Sequence, residues 1–121
     1  DMACGTGNST QSLVNVIDFE KMIAVDFCEK LLKVARTKNT DQRVQIVNSD
    51  FDEPLFDKAS FDLIFCNMGL QWSMNLEYTL SLFHNYLRDG GVFAFSIPVN
   101  DTFLELREDY RNSFYTDSVI V

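Results

Sequence analysis

The 121-residue chain has the composition of one globular domain, with 46% hydrophobic residues and no apolar run near the roughly 20 residues that a membrane-spanning helix needs. Its formal net charge of −8 disfavours nucleic acid as the main partner, because phosphate binding requires clustered Lys and Arg. The three cysteines cannot all pair within one chain and lack zinc-knuckle spacing, so we expect reduced thiols in a cytoplasmic protein, with a redox role as the alternative.

The first eight residues predict the end of a strand, a glycine turn and the start of a helix. Gly5 and Gly7 permit a tight turn that exposes backbone N–H groups. Asn8, Ser9 and Thr10 are good caps for the following helix. Such a turn can hold a polar ligand against the backbone, although short glycine loops are also common without a ligand.

A helix and a buried strand follow this turn. Aliphatic residues between positions 13 and 17 form the apolar side of the helix, and the continuous apolar run 22–25 is typical of a buried parallel strand. The strand ends in Asp26, 19 positions after Gly7. That distance is close to the roughly 20 positions at which a carboxylate accepts hydrogen bonds from ribose hydroxyls in βαβ nucleotide sites. The alternative role for Asp26 is that of a strand-end or helix-capping residue.

Together with later segments, these residues resemble the class I S-adenosylmethionine-dependent methyltransferases. The first motif of that family is D-x-G-x-G-x-G, and here Asp1, Ala3, Gly5 and Gly7 occupy its fixed positions. Ala3 replaces the first glycine, which the turn can accept if the φ angle of Ala3 is negative. The resemblance implies that these four residues and Asp26 bind S-adenosylmethionine.

The resemblance extends to the ends of the next two strands. Phe27 follows the ribose position and is expected to pack either against the adenine or against the sheet, while Cys28 occupies the cap position of the second helix. A strand at 44–47 comes next. After it, the family pattern implies that Asp50 accepts from the adenine amino group and that the backbone N–H of Phe51 meets a ring nitrogen; an exposed loop aspartate is the alternative.

A fourth strand, 61–67, is similar to the F-D-x-I-x-x-N version of the family's fourth motif. The resemblance implies that Asn67 and Met68 face the methyl donor. The next four residues are G-L-Q-W and differ from the N-P-P-Y of many methyltransferases that act on bases or glutamine. Those substrates are therefore disfavoured.

A third helix is predicted from its candidate N-cap, Asn75, to the R-D-G-G turn at 88–91, whose glycines would end it. The apolar face of this helix comprises Leu76, Leu80, Phe83 and Leu87. His84, the only histidine, lies one position off this face and is expected at the surface, without a role as a base. A fifth strand at 92–97 and a T-x-x-E capping box at 102–105, which would open another helix, complete the pattern.

Five β-segments alternating with helices predict an α/β fold with a doubly wound, mostly parallel Rossmann-like sheet. Asp1 would be the last residue of a first strand that the family places in the middle of the sheet. We therefore expect an incomplete sheet that lacks most of the first strand and the later strands. Residues 1–121 would form a partial S-adenosylmethionine-binding methyltransferase domain of a longer protein.

Within the family, three segments are similar to the malonyl-carrier-protein O-methyltransferases of biotin synthesis: N-x-x-x-Q-W at 67–72, L-R-D-G-G at 87–91 and E-L-R at 105–107. The resemblance implies methylation of the free carboxylate of malonyl-acyl-carrier protein or of a small-molecule carboxylate acceptor. A carboxylate with a pKa near 4 is ionised at neutral pH and needs no general base, so the lack of a recognisable catalytic dyad is compatible with this reaction.

Two alternatives stay open: a methyltransferase-like binding or assembly protein or inactive fragment, and a small-molecule methyltransferase of quinone or polyketide type. The sequence gives no indication of the oligomeric state.

Overall fold

The structure is a computed structural model that describes residues 1–100 and Thr102. The predicted helix after the fifth strand lies outside these residues, as does all of its capping box except Thr102. No helix within residues 1–100 is long and apolar enough to cross a bilayer. The elements are α1 (Asn8–Val16), β1 (Met22–Asp26), α2 (Glu29–Lys38), β2 (Val44–Asn48), β3 (Phe61–Asn67), a 3-10 turn (Leu70–Trp72), α3 (Leu76–Tyr86) and β4 (Leu87–Ser96).

The strands form two parallel pairs, β1 with β2 and β3 with β4, and Met2 lies between the pairs. Met2 makes one parallel bridge to Val25 and another to Cys66. Its N–H donates to the Phe65 carbonyl at 2.7 Å, and the Cys4 N–H donates to the Val25 carbonyl at 2.9 Å. The spatial order is therefore β2, β1, the amino-terminal segment, β3 and β4. This arrangement confirms the predicted parallel α/β fold and the central position of the segment that begins at Asp1.

The middle of the sheet is open at the end opposite the glycine turn. A cavity of about 860 Å³ separates the start of β1 from β3, and its lining includes Met22, Ile23, Leu63 and Phe65. The edges of β1 and β3 face each other across this cavity, so the sheet is incomplete there, as predicted. The cavity lies mainly at the amino ends of the strands, although its lining reaches Asp1.

The junction of α3 and β4 differs from the prediction that glycines end the helix. α3 ends at Tyr86, and β4 begins at the next residue. Phe61 pairs with Leu87 but Leu63 pairs with Val92, so residues 88–91 form a bulge opposite a single residue of β3. The bulge is closed by an ion pair of 2.9 Å between Arg88 and that residue, Asp62. The glycines at 90–91 therefore lie in a β-bulge and do not end the helix.

The buried face of α3 is rotated from the predicted one. Thr79, Phe83 and Tyr86 are its buried residues, whereas Leu80 is 37% exposed. The prediction failed because a threonine takes a core position, where its hydroxyl bonds to the carboxylate of Asp52. A search for apolar periodicity does not find such a position.

Candidate functional site

The residues predicted to bind a cofactor meet at the carboxyl edge of the sheet, because parallel strands bring their carboxyl ends together. The loop that runs from Asp1 through Ala3 and Gly5 to Gly7 lies at the centre of this edge. Beside it lie Asp26 and Phe27 after β1, Asp50 and Phe51 after β2, and Asn67 and Met68 at the end of β3. The fold therefore collects all ten residues, and their role in binding stays a prediction.

Asp26 anchors the glycine loop to the start of α2. Its side chain is buried, and its two carboxylate oxygens accept backbone N–H groups, Oδ2 from Gly5 and Oδ1 from Cys28, each at 2.8 Å. An ionised carboxylate has about four lone-pair positions, so two acceptor positions remain. A structural role at the strand end and a ligand-binding role are thus compatible in one residue.

Phe27 does not pack against the sheet, because its side chain is 65% exposed. Asn48, which the sequence analysis did not single out, holds its backbone in place. The Asn48 amide donates to the carbonyls of Asp26 at 3.0 Å and Phe27 at 2.9 Å. An asparagine at the end of a strand is the only local sequence signal for this contact. Phe27 therefore has an exposed ring and a backbone carbonyl held by Asn48, directly after Asp26.

The carboxylate of Asp1 organises the start of α1. Its Oδ2 accepts from the hydroxyls of Ser9 at 2.8 Å and Thr10 at 2.6 Å. The prediction that Asn8, Ser9 or Thr10 caps α1 is therefore wrong, because the N-cap residue is Gly7 and no side chain caps this helix. Oδ1 of Asp1 is buried and has no hydrogen-bond partner among the described residues. An acceptor left in this state costs about 1–3 kcal/mol, which a ligand donor would recover.

Ala3 has a φ angle of 57°, so the negative φ that would let an alanine fit this turn without strain is not present. The chain turns here from a strand into the loop, and the turn imposes a left-handed conformation that costs an alanine roughly 1–2 kcal/mol. Gly69 provides the space for the Ala3 methyl group, because a Cβ at Gly69 would overlap that methyl and lie 2.8 Å from the Cys66 sulfur. The alanine that replaces the first glycine of the motif is thus accommodated because Gly69, after β3, has no side chain.

Gly7 is required for the packing of α2 on the loop. Its φ is 78°, and a Cβ there would overlap the side-chain amide of Asn39 and lie 3.0 Å from the Ala35 methyl. The Asn39 amide donates to the carbonyls of Gly7 at 3.2 Å and Ala35 at 3.0 Å. This role of Asn39 is not recognisable from the sequence, since an asparagine after a helix is also common in exposed loops.

Asp50 and Phe51 differ in exposure. Asp50 is exposed, and its Oδ1 accepts from the backbone N–H of Asp52 at 3.0 Å. Phe51 is 4% exposed, and its ring packs edge-on against Phe83 with centroids 6.2 Å apart. The Phe51 side chain is therefore a core anchor, which leaves its backbone for the predicted contact with a ligand.

The end of β3 is tied to β4 and to the following turn. The Met68 N–H donates to the carbonyl and hydroxyl oxygens of Ser96, each at 3.0 Å, and the Ser96 hydroxyl also donates to Oδ1 of Asn67. Met68 has a φ of 54° and is 39% exposed. Its carbonyl accepts from Nε2 of Gln71 at 2.7 Å, while Oε1 of Gln71 is buried without a partner in the described part of the chain. Like Oδ1 of Asp1, this oxygen is a buried acceptor without a partner among the described residues.

The thiols of Cys4 and Cys66 are unsuited to catalysis at neutral pH. Burial raises the pKa of the Cys4 and Cys66 thiols to about 11, and the charge of Asp26 adds to the shift at Cys4. Such thiols stay protonated and unreactive at neutral pH. Cys28 is the N-cap residue of α2, as predicted, although its side chain makes no cap hydrogen bond. His84 is exposed on α3, also as predicted.

The chain is similar to proteins whose names agree with the predicted family. It is 45% identical over 121 residues to malonyl-[acyl-carrier protein] O-methyltransferase 2 of Coxiella burnetii, covering 100% of this chain and 49% of that protein. It is 32% identical over 113 residues to malonyl-[acyl-carrier protein] O-methyltransferase of Priestia megaterium, covering 93% of this chain and 41% of that protein. The chain thus spans less than half the length of either relative.

The fold has counterparts among solved structures. An S-adenosylmethionine-dependent methyltransferase from Mesorhizobium loti superposes with a TM-score of 0.72 at 25% identity, covering 78% of this chain and 43% of that one. A family model for the methyltransferase domain matches residues 1–95. Because this match runs from the glycine loop through the ends of β1, β2 and β3, which together form the edge described above, the chain belongs to the methyltransferase domain family.

Proposed function

We propose that this chain forms the S-adenosylmethionine-binding part of an O-methyltransferase that methylates the free carboxylate of malonyl-acyl-carrier protein. The observation that carries this proposal is the 45% identity, over all 121 residues, to the malonyl-[acyl-carrier protein] O-methyltransferase 2 of Coxiella burnetii. Identity at this level across the whole chain supports a shared acceptor as well as a shared fold.

The carboxyl edge fits S-adenosylmethionine in its chemistry. That cofactor carries an ammonium group, ribose hydroxyls and an adenine amino group, all of which donate hydrogen bonds. The edge offers carboxylate acceptors, and Oδ1 of Asp1 is a buried one without a partner among the described residues. A Cβ built at Gly5 would meet no atom within 4 Å, so a ligand has room to approach the loop backbone. Acceptors and open backbone thus occur together where the family motif predicts them.

We assign the edge residues to parts of the cofactor in the order in which the strands lie. Asp26 and the exposed ring of Phe27 would serve the ribose and the adenine, and Asp50 with the backbone of Phe51 would serve the far edge of the adenine. The methionine part would lie over the glycine loop, in contact with Asp1, Ala3, Gly5 and Gly7. Asn67 and Met68 would border the methyl group.

The chain's own contribution to the reaction is positioning. When bound, S-adenosylmethionine supplies an electrophilic methyl group on a sulfonium ion. A malonyl carboxylate has a reference pKa near 4 and is already ionised at neutral pH, so the chain need not remove a proton from it. Holding donor and acceptor about 3–3.5 Å apart and in line, with water excluded, is then the main requirement. His84 lies near the end of α3 that leads into β4, at the end of the sheet opposite the candidate site.

Calorimetric titration of the 121-residue chain with S-adenosylmethionine tests the cofactor assignment. We expect saturable binding that weakens by about 5- to 150-fold in Asp26→Ala, the equivalent of about 1–3 kcal/mol for lost hydrogen bonds. Asp57→Ala, at an exposed carboxylate between β2 and β3, is the matched control and should bind like the unsubstituted chain. Absence of binding by folded, unsubstituted chain would overturn the assignment.

The acceptor is tested by mass spectrometry of malonyl-acyl-carrier protein incubated with S-adenosylmethionine and the full-length protein that contains this chain. We expect one added methyl group on the malonyl-loaded carrier and none on the unloaded carrier. Transfer to a quinone-type phenol in place of the malonyl carboxylate would contradict the proposed acceptor. Cofactor binding without transfer to either would favour a binding module.

A further inference from the structure

Asp52 connects two parts of the site that are separated by β3. It lies two residues after Asp50, and its carboxylate accepts three hydrogen bonds from the segment after the 3-10 turn. Oδ1 accepts from the Ser73 hydroxyl at 2.9 Å and from the Thr79 hydroxyl, while Oδ2 accepts from the Met74 N–H at 2.7 Å. One carboxylate therefore holds the loop after β2 to the start of α3.

Further hydrogen bonds and a buried threonine surround the Asp52 carboxylate. Thr79 is fully buried, and the hydroxyls of Ser73 and Thr79 are themselves 2.9 Å apart. The Ser73 hydroxyl also accepts from the N–H of Asn75, and Asn75 caps α3 by accepting from the Tyr78 N–H at 3.1 Å. Hydrogen bonds to an ionised acceptor are roughly twice as strong as neutral ones, and a negative charge is favourable beside a helix N-terminus. The junction is thus a closed network centred on Asp52.

The network ends on residues that border the proposed ligand. On one side, the N–H of Asp52 donates to Oδ1 of Asp50 at 3.0 Å. On the other side, Ser73 follows Trp72 directly, and its N–H donates to the Leu70 carbonyl at 3.0 Å, which closes the Leu70–Trp72 turn. Within that turn, Nε2 of Gln71 donates a hydrogen bond to the Met68 carbonyl at 2.7 Å. A continuous set of contacts therefore joins Asp50 to Met68.

We propose that Asp52 is a positioning residue that makes the loop with Asp50 and the turn Leu70–Trp72 move as one unit. Occupation of the nucleoside side of the site would then fix the orientation of the turn beside Met68, on the acceptor side. This inference rests on the proposed function and deepens it, because it couples cofactor binding to the arrangement of the acceptor side. The hydrogen bonds of Asp52 described above are all made within the chain, so the role proposed for it is positioning.

Trp72 makes the coupling measurable, because it is the chain's single tryptophan and is 64% exposed. Acrylamide quenching of its fluorescence in the 121-residue chain, with and without saturating S-adenosylmethionine, reports the mobility of the turn. We expect the cofactor to reduce quenching in the unsubstituted chain. Asp52→Asn, which keeps the shape but loses the charge, should lose this ligand-dependent reduction, and Asp57→Asn is the matched control that should keep it.

A second pair of variants separates positioning from folding. Thr79→Val removes the hydroxyl that Asp52 binds and should lose the ligand-dependent reduction, whereas Thr79→Ser keeps the hydroxyl and should retain it. A role in stability alone would lower the melting temperature of these variants without removing the response of Trp72 to the cofactor at temperatures where each is folded. Equal responses in Asp52→Asn and Asp57→Asn would overturn the inference.

Calorimetry on the same samples keeps this inference distinct from the proposed function. Binding heat in the unsubstituted chain without any Trp72 response would overturn the coupling and leave the proposed function standing. Absence of binding heat would overturn the proposed function, and the ligand-free comparison would then decide the role of Asp52. In the absence of ligand, stronger quenching of Trp72 in Asp52→Asn than in Asp57→Asn would support the proposal that Asp52 holds the loop and the turn together. Equal quenching would overturn it.

Discussion

The two halves of the carboxyl edge are held together by different means. In the half around the glycine loop, Asp26 binds backbone N–H groups, and Gly7 leaves just enough space for Asn39. In the half around residues 50–52 and 70–79, side chains bind side chains, as Asp52 does with Thr79, and aromatic rings fill the core. The free energy of unfolding should therefore be sensitive to larger side chains in the first half and to truncated side chains in the second half.

The largest effect is expected from Phe83→Ala, in the second half. Phe83 is fully buried and packs edge-on against Phe93, with centroids 5.4 Å apart, as well as against Phe51. Truncating a buried phenylalanine leaves a cavity, so we expect the free energy of unfolding in urea to fall by about 3–5 kcal/mol. Phe27→Ala removes an equal volume from an exposed position and should change it by less than about 0.5 kcal/mol. Similar losses in the two variants would refute the distinction.

The next effect is that of Gly7→Ala in the first half. The methyl group would meet the Asn39 amide at a φ of 78°, so backbone strain adds to the loss of two hydrogen bonds. We expect a loss of about 2–4 kcal/mol in the free energy of unfolding, from strain of roughly 1–2 and the rest from those bonds. Gly90→Ala is the matched control, because Gly90 has a φ of 80° and open space around it, and it should show the strain alone. Equal losses at the two glycines would mean that steric overlap contributes nothing.

A third prediction concerns alkaline pH and uses Cys66, which lies where the two halves meet. Burial raises the pKa of this thiol from its ordinary value of 9.0 to about 11, so the folded state favours the neutral form. The resulting stability is fully present below pH 9 and is lost as the pH rises through about 11, with a loss of at most about 2–3 kcal/mol for a shift of this size. Urea unfolding at pH 8 and 10.5 should show a smaller decline in Cys66→Ala than in the unsubstituted chain. An equal decline would assign the pH dependence to other groups.

The two halves also differ in how far the sequence predicts them. The glycine loop, Asp26 and the strand ends follow a motif with fixed spacing, so their position at one edge was predictable. The network of Asp52 was not, because its partner Thr79 lies 27 positions away and interrupts the apolar pattern of α3. The bulge at 88–91 was missed for a related reason, since glycines after a helix usually mark its end, and only pairing with β3 shows another use.

The smallest effect, and the one that tests how the halves fit together, is the coupling between Ala3 and Gly69. Gly69→Ala alone should destabilise the chain, because the new methyl group overlaps that of Ala3 and approaches the Cys66 sulfur. Ala3→Gly alone should change the free energy of unfolding by less than about 1 kcal/mol, since relief of strain at a φ of 57° is offset by greater freedom of the unfolded chain.

In the double variant, Ala3→Gly should recover part of the loss caused by Gly69→Ala, because it removes one of the two overlapping methyl groups. The coupling energy from a double-mutant cycle should be about 0.5–2 kcal/mol, within the range found for residues in contact. Recovery should be incomplete, because the sulfur of Cys66 stays within 2.8 Å of the new Cβ. Additive effects would mean that the alanine in the first motif is accommodated by movement of the loop, and that the space at Gly69 is not what permits it.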